Sequence, residues 1–162
     1  SLASSYHGAI RITHDADIVV DATLDQLLQF AASFEPPFYV SEVAVRQAYH
    51  SRRMFNIIHP DAEYKVDIIV HQGRPFDKAV FARRMPGTAW GVPVDIPSPE
   101  DVILAKLEWA SRSESTRQFE DVVAVAQAQE GKLDLAYLRE WAEKMNVACL
   151  LQKALDKARS EE

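Results

Sequence analysis

At Pro97 the hydrophobic rhythm of the sequence changes, and that change constrains the fold more than any other feature of the 162 residues. Beyond it, apolar residues recur at spacings of three and four, and no strand pattern remains. Ser98-Pro99-Glu100-Asp101 is a helix start, with a cap serine, a proline at the first helical position and acids in the first turn. Phe119, Val122, Val123 and Ala126 repeat at helical spacing, and Gly131 stops that helix. Asp134 caps a third helix striped by Leu135, Leu138, Trp141, Ala142 and Met145, and Val147, Leu150, Leu151, Ala154, Leu155 and Ala158 stripe a fourth. Four such stripes need a common partner, so residues 97–162 are expected to be a helical bundle packed on the preceding core and not an independent domain.

Residues 1–96 read instead as short strands mixed with helices, which makes the chain α+β. Strands are expected at Ala16–Asp21, Phe38–Val40, Arg53–His59, Tyr64–Val70 and Ala89–Ile96, where Val, Ile and aromatic residues concentrate. Helices are expected at Thr23–Ser33, Ser41–His50 and Phe76–Arg84. Pro60-Asp61-Ala62-Glu63 breaks two of the strands into a hairpin, Arg53–His59 against Tyr64–Val70.

Eighteen Lys and Arg against 24 Asp and Glu leave a formal charge of -6, which disfavours a chain-wide basic surface of the kind that holds duplex DNA, while a local basic cleft stays open. The apolar runs are too short for a membrane span, and no secretory signal is visible, so a cytoplasmic protein with no membrane partner is expected. The one cysteine, Cys149, suits a reducing compartment and reads as a small buried apolar residue.

The residues with chemical content begin at His14-Asp15-Ala16-Asp17-Ile18. Two carboxylates two residues apart on a strand project from one face, about 7 Å apart at the Cα atoms, and can grip a hard cation. The alternative is a solvated, acidic strand end. Asp67 interrupts another apolar strand and shares its face with Lys65 and Ile69, while Val66, Ile68 and Val70 point the other way. An acid in that position wants either a salt bridge from a neighbouring Lys or Arg, or a metal. If its strand lies beside that of Asp15 and Asp17, three carboxylates meet on one rim, an oxygen-ligand set of the kind Mg²⁺ uses. Arg11 and Thr13 precede the acid pair and can reach an anion there. Lys106 falls within the apolar stripe Val102, Ile103, Leu107 and Ala110, where it must snorkel, pair with an acid or meet a ligand; Asp101, Glu108 and Arg112 lie opposite. Asp121 reads as part of a solvated face. The five histidines fall mostly on strands and loops, which makes a zinc site weak, and no phosphate-binding or dinucleotide glycine motif is present.

Ser1-Leu2-Ala3-Ser4 with His7-Gly8, Arg11-x-Thr13-x-Asp15-x-Asp17-Ile18 and Val66-Asp67-Ile68 resembles the nucleotidyltransferase superfamily with the DNA polymerase beta-like fold. Pro97–Leu107 and Arg117–Val122 look like the bacterial branch that includes toxin components of abortive-infection toxin–antitoxin pairs. The resemblance covers nearly the whole chain. It implies a small mixed-sheet core over residues 1–96, two Mg²⁺ (or Mn²⁺) ions at Asp15, Asp17 and Asp67, and contacts to the nucleotide from Ser1 and Lys106, with Arg11 and Thr13 beside them. In that scheme Asp67 also helps activate the attacking hydroxyl. It further implies a transferase acting on ATP or another nucleoside triphosphate, an RNA, tRNA or protein hydroxyl as acceptor, and a cognate antitoxin as partner. An RNA acceptor needs a basic strip, for which Arg46, Arg52, Arg53, Lys65, Arg83 and Arg84 are the candidates. The family's glycine stands immediately before the position of Ser1, so a longer native N-terminus is expected. The alternative is a non-catalytic nucleotide-binding module of the same fold that acts through a protein partner.

Overall fold

The computed structural model describes residues 2–8, 15–61, 65–113 and 115–160, with the backbone alone for Asp15. In chain order the elements are α1 (Leu2–Tyr6), β1 (Asp15–Val20), α2 (Leu24–Ala32), α3 (Glu42–Ser51), β2 (Met54–Ile58), β3 (Lys65–Val70), α4 (Pro75–Arg83), β4 (Met85–Ala89), β5 (Val92–Ile96), α5 (Pro99–Ser113), α6 (Thr116–Ala128), α7 (Leu135–Lys144) and α8 (Ala148–Ser160). The protein is therefore mixed α+β, with small sheets. Among the described residues no helix is long and apolar enough to cross a membrane. The chain divides into two compact units, one reaching from β1 to Asp77, the other holding α1 from Ala3 and everything from Lys78 onward. Pro97 thus marks where strands give way to helices, whereas the units part within α4.

The first unit is built on a three-stranded mixed sheet in the order β1-β3-β2, with β1 parallel and β2 antiparallel to β3. Period-2 alternation gives the sheet two different faces. One presents Phe55, Ile57, Ile68 and Val70, all buried against Leu27 of α2 and Val45 and Ala48 of α3. Each such side chain contributes about 1.5–3 kcal/mol by leaving water. The other face carries the polar residues of β3. Local signals position the helices over the apolar face: Thr23 and Gln26 close a capping box at the start of α2, and the Ser41 hydroxyl caps α3. The expected strand at Phe38–Val40 reduces to a single bridge, Tyr39 to Ile58.

In the second unit β4 and β5 form an antiparallel ribbon. A single strand was expected over Ala89–Ile96; the chain instead reverses at Trp90 and Gly91, both at positive φ (49° and 79°), as a two-residue hairpin turn requires. A tryptophan is an unusual occupant of such a turn, and it stands 81% exposed at the tip. Gly87 lies where a Cβ would run into the Ile96 side chain of the paired strand, so its lack of one lets Ile96 pack across the ribbon. His7 fixes the end of α1 twice, through its ring nitrogen to the Pro97 carbonyl (2.7 Å) and through its own carbonyl, which accepts from the Gln129 amide.

The four expected C-terminal helices are all present. Ser98 caps α5 by accepting from the Asp101 amide, and Asp134 caps α7 by accepting from that of Tyr137. Val102, Ile103, Leu104 and Leu107 of α5, Val122 and Val125 of α6, Leu138 and Ala142 of α7 and Ala154 of α8 form the buried interior. Two readings of exposure are corrected. Cys149 is exposed, because it starts α8 on the side away from Leu151, Ala154 and Leu155. Asp121 is buried and not solvated, and Asp101, placed opposite the apolar stripe, is buried too. Buried residues occur on more than one side of α5 and α6, so a single-stripe reading of either helix places too many residues in water.

Candidate active site

Parallel pairing of β1 with β3 sets Asp17 directly beside Asp67, and Asp15 beside Lys65. Because the side-chain period is two, Asp17, Lys65 and Asp67 share the face of the sheet opposite the apolar core. On the other flank of β3, Asn56 of β2 is the register partner of Asp67. A polar row, Asp17, Asp67 and Asn56, therefore crosses the sheet.

The row is graded in exposure. Asp17 is exposed, whereas Asp67 is only 5% exposed and has both carboxylate oxygens engaged. Oδ1 accepts a short hydrogen bond from Asn56 Nδ2, and Oδ2 receives Lys65 Nζ at 3.2 Å. Lys65 remains 46% exposed along its side chain. Both partners open to Asp67 in the sequence reading involve a cation, and the structure supplies the lysine. The same arrangement bears on metal binding: the donors on this face are hard carboxylate oxygens, and a positive group is already drawn to the buried one, so donor type and charge fit a divalent cation of the Mg²⁺ class. Among the described residues no group of three or more His, Cys, Asp or Glu side chains is gathered for a metal, and the carboxylate of Asp15 is outside that set.

Ser1, Arg11 and Thr13 lie outside the described residues. Lys106 belongs to the second unit, where its Nζ donates to Asp121 Oδ2 at 2.7 Å and to Gln118 Oε1 at 2.8 Å; both side chains of the pair are about one-tenth exposed (10% and 11%). Of the outcomes open to a lysine in that stripe, acid pairing is the one seen. The basic residues considered for an RNA strip are also largely engaged: Arg46 with Glu42, Arg52 with the His71 carbonyl, Arg84 with Asp95, and Arg83 with Glu100 and Asp101.

Arg83 anchors a second polar cluster that sequence reasoning missed. Its guanidinium lies 3.7 Å from the centroid of the Tyr137 ring and 3.2 Å from Glu100 Oε2, while the Tyr137 hydroxyl donates to Asp101 Oδ1 at 2.7 Å. Glu100 also accepts from the Asp134 amide. Burial, then the hydrogen bond to Asp101, pushes the Tyr137 phenol well above the usual tyrosine range. These groups tie the end of α4 to the starts of α5 and α7 and face one another, so the cluster is read as a structural clasp. Asn56 was missed as well. Its signal, an amide in the middle of the apolar run Met54–Ile58, acquires meaning only once β2 is in register with β3.

No protein-family model matches the chain, and no curated protein matches it significantly. A functional reading therefore stands on the sheet residues and on the sequence pattern around them.

Proposed function

We propose that the chain is a metal-dependent nucleotidyltransferase that moves a nucleoside monophosphate from a nucleoside triphosphate to a hydroxyl acceptor and releases pyrophosphate. The observation that carries the reading is the register of β1 and β3, with Asp17 beside Asp67 and Asp15 two residues earlier on the same strand. The sequence resemblance supports it with the same three acids.

Asp15, Asp17 and Asp67 are the residues that would hold Mg²⁺ or Mn²⁺, two ions in the full scheme. Bound there, such ions neutralise triphosphate charge and stabilise the entering and leaving oxygens. Asn56 contributes orientation, since a donor on Oδ1 fixes the rotation of the Asp67 carboxylate. In the transfer, the acceptor oxygen bonds to the α-phosphorus, the bond from that phosphorus to the pyrophosphate oxygen breaks, and the acceptor's proton passes to a carboxylate, assigned here to Asp67. Nucleotide contacts from Ser1, Arg11, Thr13 and Lys106, an RNA or protein acceptor, a toxin-type role and a cognate antitoxin come from the resemblance and belong to the same proposal.

The ion pair of Asp67 with Lys65 favours a second reading, a nucleotide-binding module whose acidic face is closed to metal. Incubating the protein with each labelled nucleoside triphosphate, Mg²⁺ or Mn²⁺ and a cell extract separates the two. Transfer of label to RNA or protein by the wild type, absent in Asp17→Ala, supports the enzyme. Measurable nucleotide binding without pyrophosphate release supports the module.

A further inference from the structure

We propose that Lys65 is the resident counter-ion of the acidic face, a built-in cation that a divalent metal displaces from Asp67 when the site is loaded. The inference rests on the reading of Asp15, Asp17 and Asp67 as a metal site and assigns that site a mode of regulation.

Three observations carry it. First, Asp67 is buried, and a buried carboxylate needs a positive partner in every state in which it is ionised. Second, the partner it has is suited to leaving. Lys65 comes from the same strand two residues away, holds Asp67 at 3.2 Å and keeps nearly half its side chain in water. The ammonium can therefore swing out to solvent without breaking any backbone pairing of β3. Third, the backbone register places Lys65 beside Asp15 and, two residues on, Asp67 beside Asp17.

The contrast with Lys106 sharpens the point. That lysine meets Asp121 at 2.7 Å with both side chains buried, so it is fixed between two helices. Asp67 also has a second donor, Asn56, but this one is neutral and stays in place when the cation is exchanged. Exchange thus replaces one positive charge with two at the same carboxylate while the carboxylate keeps its orientation. The consequence is an apparent metal affinity lower than the acids alone would give, set by competition with the lysine.

The test is binding of Mn²⁺ alone to the full chain, followed by the electron paramagnetic resonance signal of the free ion, in the wild type, Lys65→Met, Lys65→Arg, Asp17→Asn and Asp67→Asn. Removing a positive charge a few ångströms from the bound ion is expected to tighten Mn²⁺ binding by about three- to tenfold in Lys65→Met, while Lys65→Arg stays near the wild type. Mn²⁺ should also raise the melting temperature of Lys65→Met more than that of the wild type, since metal then compensates an otherwise unpaired carboxylate. A lysine that only supports the fold would leave affinity unchanged or lower it on removal. Unchanged or weaker binding in Lys65→Met, with binding abolished in Asp17→Asn, overturns the role of Lys65 and leaves the metal site standing. Equal binding in the wild type, Asp17→Asn and Asp67→Asn removes the metal site and this role with it. Lys65→Gln makes the same comparison should the methionine variant not fold.

Discussion

The two units both bury aspartates, and they treat them in opposite ways. In the helical unit, Asp101 and Asp121 are enclosed by groups from other helices: the Tyr137 hydroxyl and Arg83 for the first, Lys106 for the second. In the sheet unit, Asp67 is held by an amide across the sheet and by a half-exposed lysine of its own strand, beside an exposed Asp17. The difference teaches how to tell a structural acid from a candidate functional one. A carboxylate whose partners come from distant elements ties those elements together; removing it costs stability. A carboxylate that shares an accessible face with other acids, compensated by a group able to leave, is arranged to exchange its partner.

The sharpest way to break this contrast is to remove one acid from each unit. Asp17→Ala is expected to lower nucleotidyl transfer by about a thousandfold, measured as label incorporation, and to leave the urea midpoint almost unchanged because the side chain is exposed. Loss of stability without loss of transfer would place Asp17 among the structural acids. The helical pair should behave in reverse. Lys106→Ala strands the Asp121 carboxylate in the interior and should cost about 3–5 kcal/mol by urea denaturation, whereas the double replacement Lys106→Met/Asp121→Leu should recover most of that loss.

A smaller effect is expected at the clasp. Tyr137→Phe deletes the hydrogen bond to Asp101 and should cost about 2 kcal/mol near neutral pH. Its pH dependence has a definite sign. Because the folded phenol titrates above its ordinary value of about 10, the native state holds the proton more tightly than the unfolded chain; that stabilisation is complete below about pH 10 and is lost as the pH rises beyond it. Urea midpoints at about pH 9 and about pH 11 should therefore fall more steeply for the wild type than for Tyr137→Phe. The smallest effect concerns a feature with no part in either acid set: Thr23→Ala removes the capping box of α2 and should cost about 1 kcal/mol, with transfer unaffected.

Much of this architecture was legible from residues a few positions apart. The four C-terminal helices, the caps at Ser98 and Asp134, the hairpin of β2 with β3 and the strand of Asp15 and Asp17 all follow from periodicity and capping chemistry that act within a turn or a pleat. The β4–β5 ribbon was not legible, because Met85–Ala89 contains a proline and a glycine and its turn is made by a tryptophan in a left-handed conformation. The candidate site was legible as three acids on strand faces. That Asp17 and Asp67 are neighbours, and that Asn56 holds Asp67, depends on which strands pair and in what register, whereas Lys65 sits two residues from Asp67 on its own strand and was legible as a candidate partner.

The sequence by itself thus determined where the helices and most strands run and which face of each strand is acidic, since these are set by a two- or 3.6-residue period and by side chains that bond to backbone nearby. Tertiary structure alone decided which charges are buried and with whom. Asp121 reads as solvated on an isolated helix and becomes interior only when a partner arrives from another helix; Lys106 finds its acid fifteen positions along the chain, and Asp67 its amide eleven positions back. Such pairings are fixed by the packing of whole elements, where burial makes each ion's partner a condition of folding, and no local pattern of residues encodes them.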